Sequence, residues 1–168
     1  MSDSLVIRVY KYWLPVVLWM GVISFMSTDA GSTEHSSRIL EPVVHWLRPS
    51  ASPEEFDLVH LLVRKAAHLT EYAILGLLTF RAIRLSQPPR SQRRPGWAIG
   101  LATLLVAGTY AATDEFHQSL VPGRTPAVTD VLIDSCGAAI GLGFIGLRSV
   151  AGSLRDDKTS AAPATPHV

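Results

Sequence analysis

Hydrophobic residues are gathered into four blocks along this chain, at positions 10–27, 66–83, 97–113 and 131–147. Each block approaches the ~20 residues that an α-helix needs to cross the hydrocarbon core of a bilayer. The pattern predicts an all-α fold, a polytopic membrane bundle of four transmembrane helices. A soluble bundle of four buried helices is the alternative, and four separate blocks of spanning length in a chain of 168 residues disfavour it.

The segment between the first two blocks predicts an outer amphipathic helix. Apolar residues at 37–47 recur at helical spacing, with Pro42 expected to shorten or kink the element. This helix either lies on the membrane surface or packs on the protein as an ordinary loop helix. Ser52, Pro53 and Glu55 then form a capping-box start for the second spanning helix, which is expected to run to Ile83.

Basic residues orient the predicted spans. Ten lysines and arginines lie on the side of the membrane that carries both predicted termini, and five lie on the other side. Lysine and arginine favour the cytoplasm, so both termini are expected there. The predicted organisation is a cytoplasmic lead at 1–9, a membrane domain at 10–147 with its outer loop at 28–64, and a disordered cytoplasmic tail at 148–168. The net charge of +1 gives no indication of a nucleic-acid partner.

Two features of the spans have alternative interpretations. The first block resembles a signal peptide with a weak cleavage site at 28–30, whereas the aromatic residues Tyr10, Tyr12 and Trp13 favour a retained helix anchored at the interface. The single cysteine, Cys136, has no partner for an internal disulfide. We expect it to be a small buried residue of the fourth span.

Ionisable and amide side chains are concentrated at one end of the predicted bundle. The second and fourth spans enter from the outer side and the third leaves to it, so their polar residues are expected at the same depth. Such residues are costly near hydrocarbon and mark functional sites. Several pairs, such as Asp130 and Asp134, lie four residues apart on one helical face. The candidate ligand-binding residues are Arg64, Lys65, His68, Glu71, Tyr72, Asp114, Glu115, Gln118, Arg124, Asp130 and Asp134.

Over positions 13–147 the chain resembles the VanZ-like family of bacterial membrane proteins. The resemblance is carried by the ordered set Arg64-Lys65-x-x-His68-x-x-Glu71-Tyr72, Asp114-Glu115-x-x-Gln118, Pro122-Gly123-Arg124, Asp130 and Gly137-x-x-x-Gly141. It implies a small multi-pass protein of the bacterial cytoplasmic membrane, in a family whose founding member is linked to resistance to glycopeptide antibiotics such as teicoplanin. Asp134 departs from the family pattern, which usually has asparagine there.

Binding and catalysis are both open as the function of these residues. In a binding site for an anionic envelope lipid or a lipid-linked cell-wall precursor, Arg64, Lys65 and Arg124 would hold phosphate. His68, Glu71 and Gln118 would orient sugars or pyrophosphate. In an intramembrane enzyme, His68 or Glu71 would act as general base, and Asp114 or Glu115 as acid, on a lipid-linked substrate.

Two further interpretations of the same residues remain. A purely structural network of buried pairs would fix the helix registry and nothing more. A metal site would combine His68 and Glu71 with Glu115 or Asp130. The neighbouring arginines favour an anion over a metal cation, so that no metal and no other cofactor is predicted.

Overall fold

Five α-helices make up the computed structural model, which describes residues 5–28, 33–87, 94–120 and 127–160. They are α1 (Leu5–Met26), α2 (Thr33–Leu47), α3 (Pro53–Leu85), α4 (Gly96–Gln118) and α5 (Val128–Ser160). No strand occurs within these described ranges. The all-α prediction is confirmed.

The start of α3 follows from its capping residues. The Ser52 hydroxyl accepts the backbone N–H of Glu55 at 3.3 Å, and the Glu55 carboxylate accepts the backbone N–H of Ser52 at 3.0 Å. Pro53 occupies the first turn, where its missing N–H costs nothing. A hydrogen bond from the Ser52 hydroxyl also lowers the pKa of the exposed Glu54 carboxyl. The 33 residues of α3 span about 50 Å at 1.5 Å per residue, more than a bilayer core.

Small residues bring α3 and α5 into backbone contact. A Cβ atom on Gly137 would meet the carbonyl of Leu69, and one on Gly141 would meet the carbonyl of Ala73. From the other helix, a Cβ on Gly76 would stand 2.8 Å from the carbonyl oxygen of Ala138. Such close approach is typical of helix pairs in membranes. It fixes which faces of α3 and α5 oppose each other.

Helix α1 is an integral part of the bundle. Val16 and Ile23 are fully buried against the other helices, and the Trp19 indole N–H donates to the backbone carbonyl of Glu71 at 2.9 Å. The shared core contains Val16, Ile23, Tyr72, Leu75, Ala82, Ala107, Ala111 and Ala138. This packing favours the retained helix over the cleaved signal peptide.

Two helices of the described chain are long and apolar enough to cross a membrane, α4 and the Val128–Arg148 part of α5. Only 22% and 28% of their apolar windows are buried, whereas the core helix of a soluble protein is mostly buried. The prediction of four spans is therefore supported in part, since α1 and α3 do not meet this criterion. In α3 the polar side chains of His68, Glu71 and Arg81 lower the hydropathy.

Large apolar side chains cover the outside of the bundle. Examples on four helices are Val17, Leu18, Phe25, Leu61, Leu62, Leu101, Leu105, Leu132, Ile140 and Phe144, all exposed. On α2, Val44 is buried, while Ile39 and Trp46 are 76% and 80% exposed. A surface this apolar is typical of contact with lipid, and it favours the membrane-surface interpretation of α2 over the packed loop helix.

Two predictions about α5 were wrong. The helix continues to Ser160, so the tail expected to be disordered from Arg148 is helical up to that residue; positions 161–168 lie outside the described chain. No proline interrupts the sequence until Pro163, which lets the helix continue. Cys136 is exposed instead of buried. Asp134, Gly137 and Gly141 face α3, and Cys136 lies on a different face of α5.

Candidate functional site

Nine polar side chains lie together at the end of the bundle where α1 and α4 end and α5 begins. We call them the polar cluster: Ser27, Arg64, Lys65, His68, Asp114, Glu115, Gln118, Asp130 and Asp134. Its four carboxylate residues are between 0% and 6% exposed. Burying a charge is costly unless it is paired and hydrogen-bonded, so the partners of each group decide what the cluster can do.

Two cationic side chains of α3 contact Asp130. The Lys65 ammonium contacts one carboxylate oxygen, and Nη2 of Arg64 lies 3.7 Å from the other. Asp130 stands in the first turn of α5, where the helix dipole favours a negative charge. Two cations and the positive end of the helix dipole thus converge on this carboxylate at the mouth of the cluster.

One turn further along α5, Asp134 pairs with His68. Nδ1 of the imidazole lies 3.1 Å from one carboxylate oxygen, and both side chains are buried. Because Nδ1 is engaged by Asp134, Nε2 is the ring nitrogen that remains for another partner. An asparagine at this position could make the hydrogen bond without adding another buried acid.

Asp114 is held between α1 and α4. One of its oxygens accepts the Ser27 hydroxyl at 2.7 Å and the Gln118 amide at 3.1 Å. The same amide lies 3.3 Å from the Ser27 oxygen. Sequence reasoning missed Ser27, for which the only signal was a hydroxyl at the end of the first apolar block.

Glu115 ties the end of α4 to the start of α5. One of its carboxylate oxygens accepts the backbone N–H of Ala127 at 2.9 Å. This N–H belongs to the residue before Val128, so the glutamate contributes to fixing where α5 begins. Its other oxygen is buried and has no hydrogen-bond partner within the described residues.

Several buried polar atoms of this region have no hydrogen-bond partner among the described residues. Four are oxygens that accept hydrogen bonds, on Asp114, Glu115, Gln118 and Asp134. Two are donors, Nε and Nη2 of Arg64, and one is the hydroxyl of Tyr72. Leaving such a group unsatisfied costs about 1–3 kcal/mol. A molecule that satisfied these atoms would have to both donate and accept hydrogen bonds.

The acids of α4 face the polar residues of α3 and α5 across the cluster. Asp134 is close enough to interact electrostatically with Asp114 on α4 as well as with His68. Glu115 in turn interacts with His68 and Asp130. The rings of Tyr72 on α3 and Tyr110 on α4 lie 6.3 Å apart below the acids. Together with Ser27 at the end of α1, residues of α3, α4 and α5 thus contribute to one polar interior.

The structure brings together most residues singled out in the sequence. Tyr72 is fully buried beside the cluster, and Glu71, one turn from His68, is half-buried and interacts with it electrostatically. Arg124 lies outside the described residues. Within the described chain, no three His, Cys, Asp or Glu side chains are grouped so as to hold a metal ion. The metal interpretation thus has no support from the geometry.

Comparison with known proteins gives one match. The VanZ/LLP1 family profile matches residues 12–149, which is 138 of the 168 positions. No curated protein and no solved structure matches the chain. The match covers α1 from Tyr12 onwards, all of α2, α3 and α4, and α5 up to position 149, and thereby the whole polar cluster. Together with the two apolar helices it indicates a membrane protein, and the chain belongs to the VanZ/LLP1 family.

Proposed function

We propose that the chain is a four-span protein of the bacterial cytoplasmic membrane that binds an anionic envelope lipid or lipid-linked cell-wall precursor in the polar cluster. Both termini are cytoplasmic in this proposal, which puts the cluster on the outer side. The observation that carries it is Arg64, whose Nε and Nη2 are buried and have no hydrogen-bond partner among the described residues. The side chain as a whole is 22% exposed while these two nitrogens are buried, so a ligand that pairs with them must enter the cluster.

A phosphate group suits the donors of Arg64. Guanidinium groups bind phosphate oxygens through two parallel hydrogen bonds, and Lys65 adds a second positive charge beside it. The polar interior behind them is acidic. A simple anion would be repelled there, whereas a phosphate that carries sugar hydroxyls or amines can donate to the oxygens of Asp114, Glu115 and Asp134. This chemistry favours a lipid-linked sugar phosphate over a bare anionic lipid.

The proposed location of the polar cluster on the outer side of the membrane connects it with the antibiotic resistance that the family resemblance implies. A protein that binds a cell-wall precursor outside the membrane would alter the sensitivity of the cell to glycopeptide antibiotics. Arg124, which lies between α4 and α5 in the sequence, stays part of this proposal as a third cation.

Lipid that co-purifies with the protein tests the binding proposal. Native mass spectrometry should detect a bound phospholipid or lipid-linked precursor on the wild type. Arg64→Lys keeps the charge but loses the planar fork, and we expect binding to weaken by about 1.5–3 kcal/mol, typical of a charge-assisted hydrogen bond. Arg48→Lys is the matched control, because Arg48 is an exposed arginine paired with Glu55 outside the cluster. Equal lipid occupancy in all three proteins would contradict the proposal.

The His68–Asp134 pair favours an enzyme as the second candidate. A carboxylate on Nδ1 orients the imidazole and supports its use as a general base through Nε2. If the protein is an enzyme, His68→Gln should abolish turnover while the lipid remains bound. The lipid substrate should then accumulate in cells that express the variant. If the site only binds, the lipid profile of these cells should show no such accumulation relative to cells that express the wild type.

A further inference from the structure

The end of the bundle opposite the polar cluster is basic. The sequence contains no aspartate or glutamate between Glu71 and Asp114, whereas it has five arginines there. Arg81 and Arg84 lie on the last turns of α3, and Arg94 precedes α4. Lys65 and Arg84 are 19 residues apart on α3, which is about 29 Å along a helix and matches a hydrocarbon core of about 30 Å. We call this region the basic end; its arginines lie at the depth of the opposite headgroups.

Gln87 brings two of these arginines together. Its side-chain amide donates to the carbonyl of Ile83 at 3.2 Å, and its side-chain oxygen accepts the backbone N–H of Arg94 at 3.2 Å. The start of α4 is thereby held against the end of α3. Arg84 and Arg94 consequently line the same cavity.

Two cavities open at the basic end, and Arg84 lines both of them. The first, of about 520 Å³, lies between α3, α4 and α5 and includes Ile99, Leu142 and Gly146 in its walls. The second, of about 570 Å³, lies along α3 and includes Leu77 and Leu85. Phe80, Arg84 and Ile145 belong to both. A cation therefore stands between two mainly apolar spaces.

We infer that the basic end binds a diacyl anionic phospholipid. The phosphate lies on Arg84 and Arg94, and one acyl chain enters each cavity. Charge complementarity supports an anionic occupant, because Arg84 and Arg94 form no ion pair with any described residue. The two apolar cavities that flank one cation fit two chains on one headgroup. The site lies at the other end of α3 from the polar cluster and does not depend on the function proposed for that cluster.

Titration of the purified full-length protein with two lipids tests the inference. In native mass spectrometry, we expect dioleoyl phosphatidylglycerol to bind about tenfold more tightly than dioleoyl phosphatidylcholine. The double variant Arg84→Gln/Arg94→Gln should lose this preference. Arg148→Gln is the matched control, because Arg148 is a basic residue of α5 that rests on Phe144 and lines neither cavity.

A second pair of variants tests the acyl-chain cavity without touching charge. Gly146 and Gly143 both have open space where a Cβ would lie, but only Gly146 lines the first cavity. Gly146→Leu should fill the cavity and weaken both lipids about tenfold, whereas Gly143→Leu should leave binding unchanged. Since both positions are exposed and no atom lies within 4 Å of either Cβ position, both proteins should fold. If the arginine double variant does not fold, the glycine pair decides.

Three results would overturn the inference. One is equal binding of the two lipids to the wild type. Another is a loss of preference in Arg148→Gln as large as in the arginine double variant. The third is equal affinity in Gly146→Leu and Gly143→Leu. Excess inorganic phosphate should displace little phosphatidylglycerol, and complete displacement would show that the headgroup alone is held and that the two-chain assignment is wrong.

Discussion

Replacement of Gly137 by alanine is the most direct test of how α3 and α5 are held together. The added methyl group would run into the backbone carbonyl of Leu69, which no side-chain rotation can move aside. The two helices must therefore separate. Because Asp130 and Asp134 lie on the same stripe of α5, this separation would also stretch their contacts with Lys65 and His68.

Two opposing contributions to the free energy of unfolding decide how much Gly137→Ala changes stability. Alanine in place of glycine stabilises a helix by about 1 kcal/mol. Overpacking of a tight contact costs about 1–3 kcal/mol, and a rigid backbone obstacle takes the cost to the upper part of this range. The control Gly143→Ala gains the first term alone, since no atom lies within 4 Å of its Cβ position. The two variants should thus differ by about 1–3 kcal/mol, with Gly137→Ala the less stable.

Thermal stability in detergent measures this difference. For a chain of this length, 1 kcal/mol corresponds to a shift in Tm of roughly 2–4 °C. Gly137→Ala should therefore unfold roughly 2–12 °C below Gly143→Ala when heated samples are compared by size-exclusion chromatography. Equal Tm values for the two variants would show that the close approach of α3 and α5 does not hold the bundle together.

Three more substitutions test other parts of the structure. Asp134→Asn keeps the hydrogen bond to the imidazole and removes a buried acid, so Tm should not fall; a fall of several degrees would mean that the charge itself stabilises the fold. Ser27→Ala removes one of the two donors to a buried oxygen of Asp114, which then keeps the Gln118 amide alone, and should lower stability by about 1–3 kcal/mol, measured in the same melting assay. With Cys136→Ser as background, an impermeant thiol reagent on intact cells should label a cysteine placed at Ser36 and spare one at Ser91; the reverse labelling would place the polar cluster on the cytoplasmic side.

Much of the fold could be predicted because local chemistry specifies it. Ser52, Pro53 and Glu55 fix the start of α3 by themselves, and the structure confirms that start. The apolar blocks located the helices of the bundle. The ends were less certain, because nothing before Pro163 stops α5 and because Asp114 to Gln118 continue α4 beyond the apolar block.

The pairing within the polar cluster could not be predicted from span order alone. Span order brings the polar residues to one end, but the rotation of each helix about its axis decides which of them meet. That rotation is set by tertiary contacts such as those of Gly137 and Gly141. It pairs Asp130 with both Arg64 and Lys65, and it leaves Cys136 exposed. Ser27 was missed for the same reason, since its partner Asp114 is 87 positions away.

The kinds of contact between the helices differ within the bundle. Helices α3 and α5 touch backbone to backbone through their small residues and cannot slide apart without losing many contacts at once. Helices α1 and α4 each pack mainly on α3 or α5, and they are joined to each other by hydrogen bonds, from Ser27 to Asp114 and from the Tyr110 hydroxyl to the Met20 carbonyl. The contact between α1 and α4 is therefore the one that opens with the smallest loss of packing.

We expect a ligand to enter the polar cluster between α1 and α4, at the ends that Ser27 and Asp114 join. The Trp19 bond to the Glu71 carbonyl ties α1 to α3, and at the basic end the Trp13 indole donates to Ser86 at 3.2 Å. The backbone N–H of Ala127 donates to Glu115 and keeps the start of α5 with α4. Spin labels on the exposed positions Phe25 and Phe116 would move apart on ligand binding in this motion, and an unchanged distance would exclude it. Because Trp13 stays bonded to Ser86, α1 would tilt about its basic end while its other end moves away from α4.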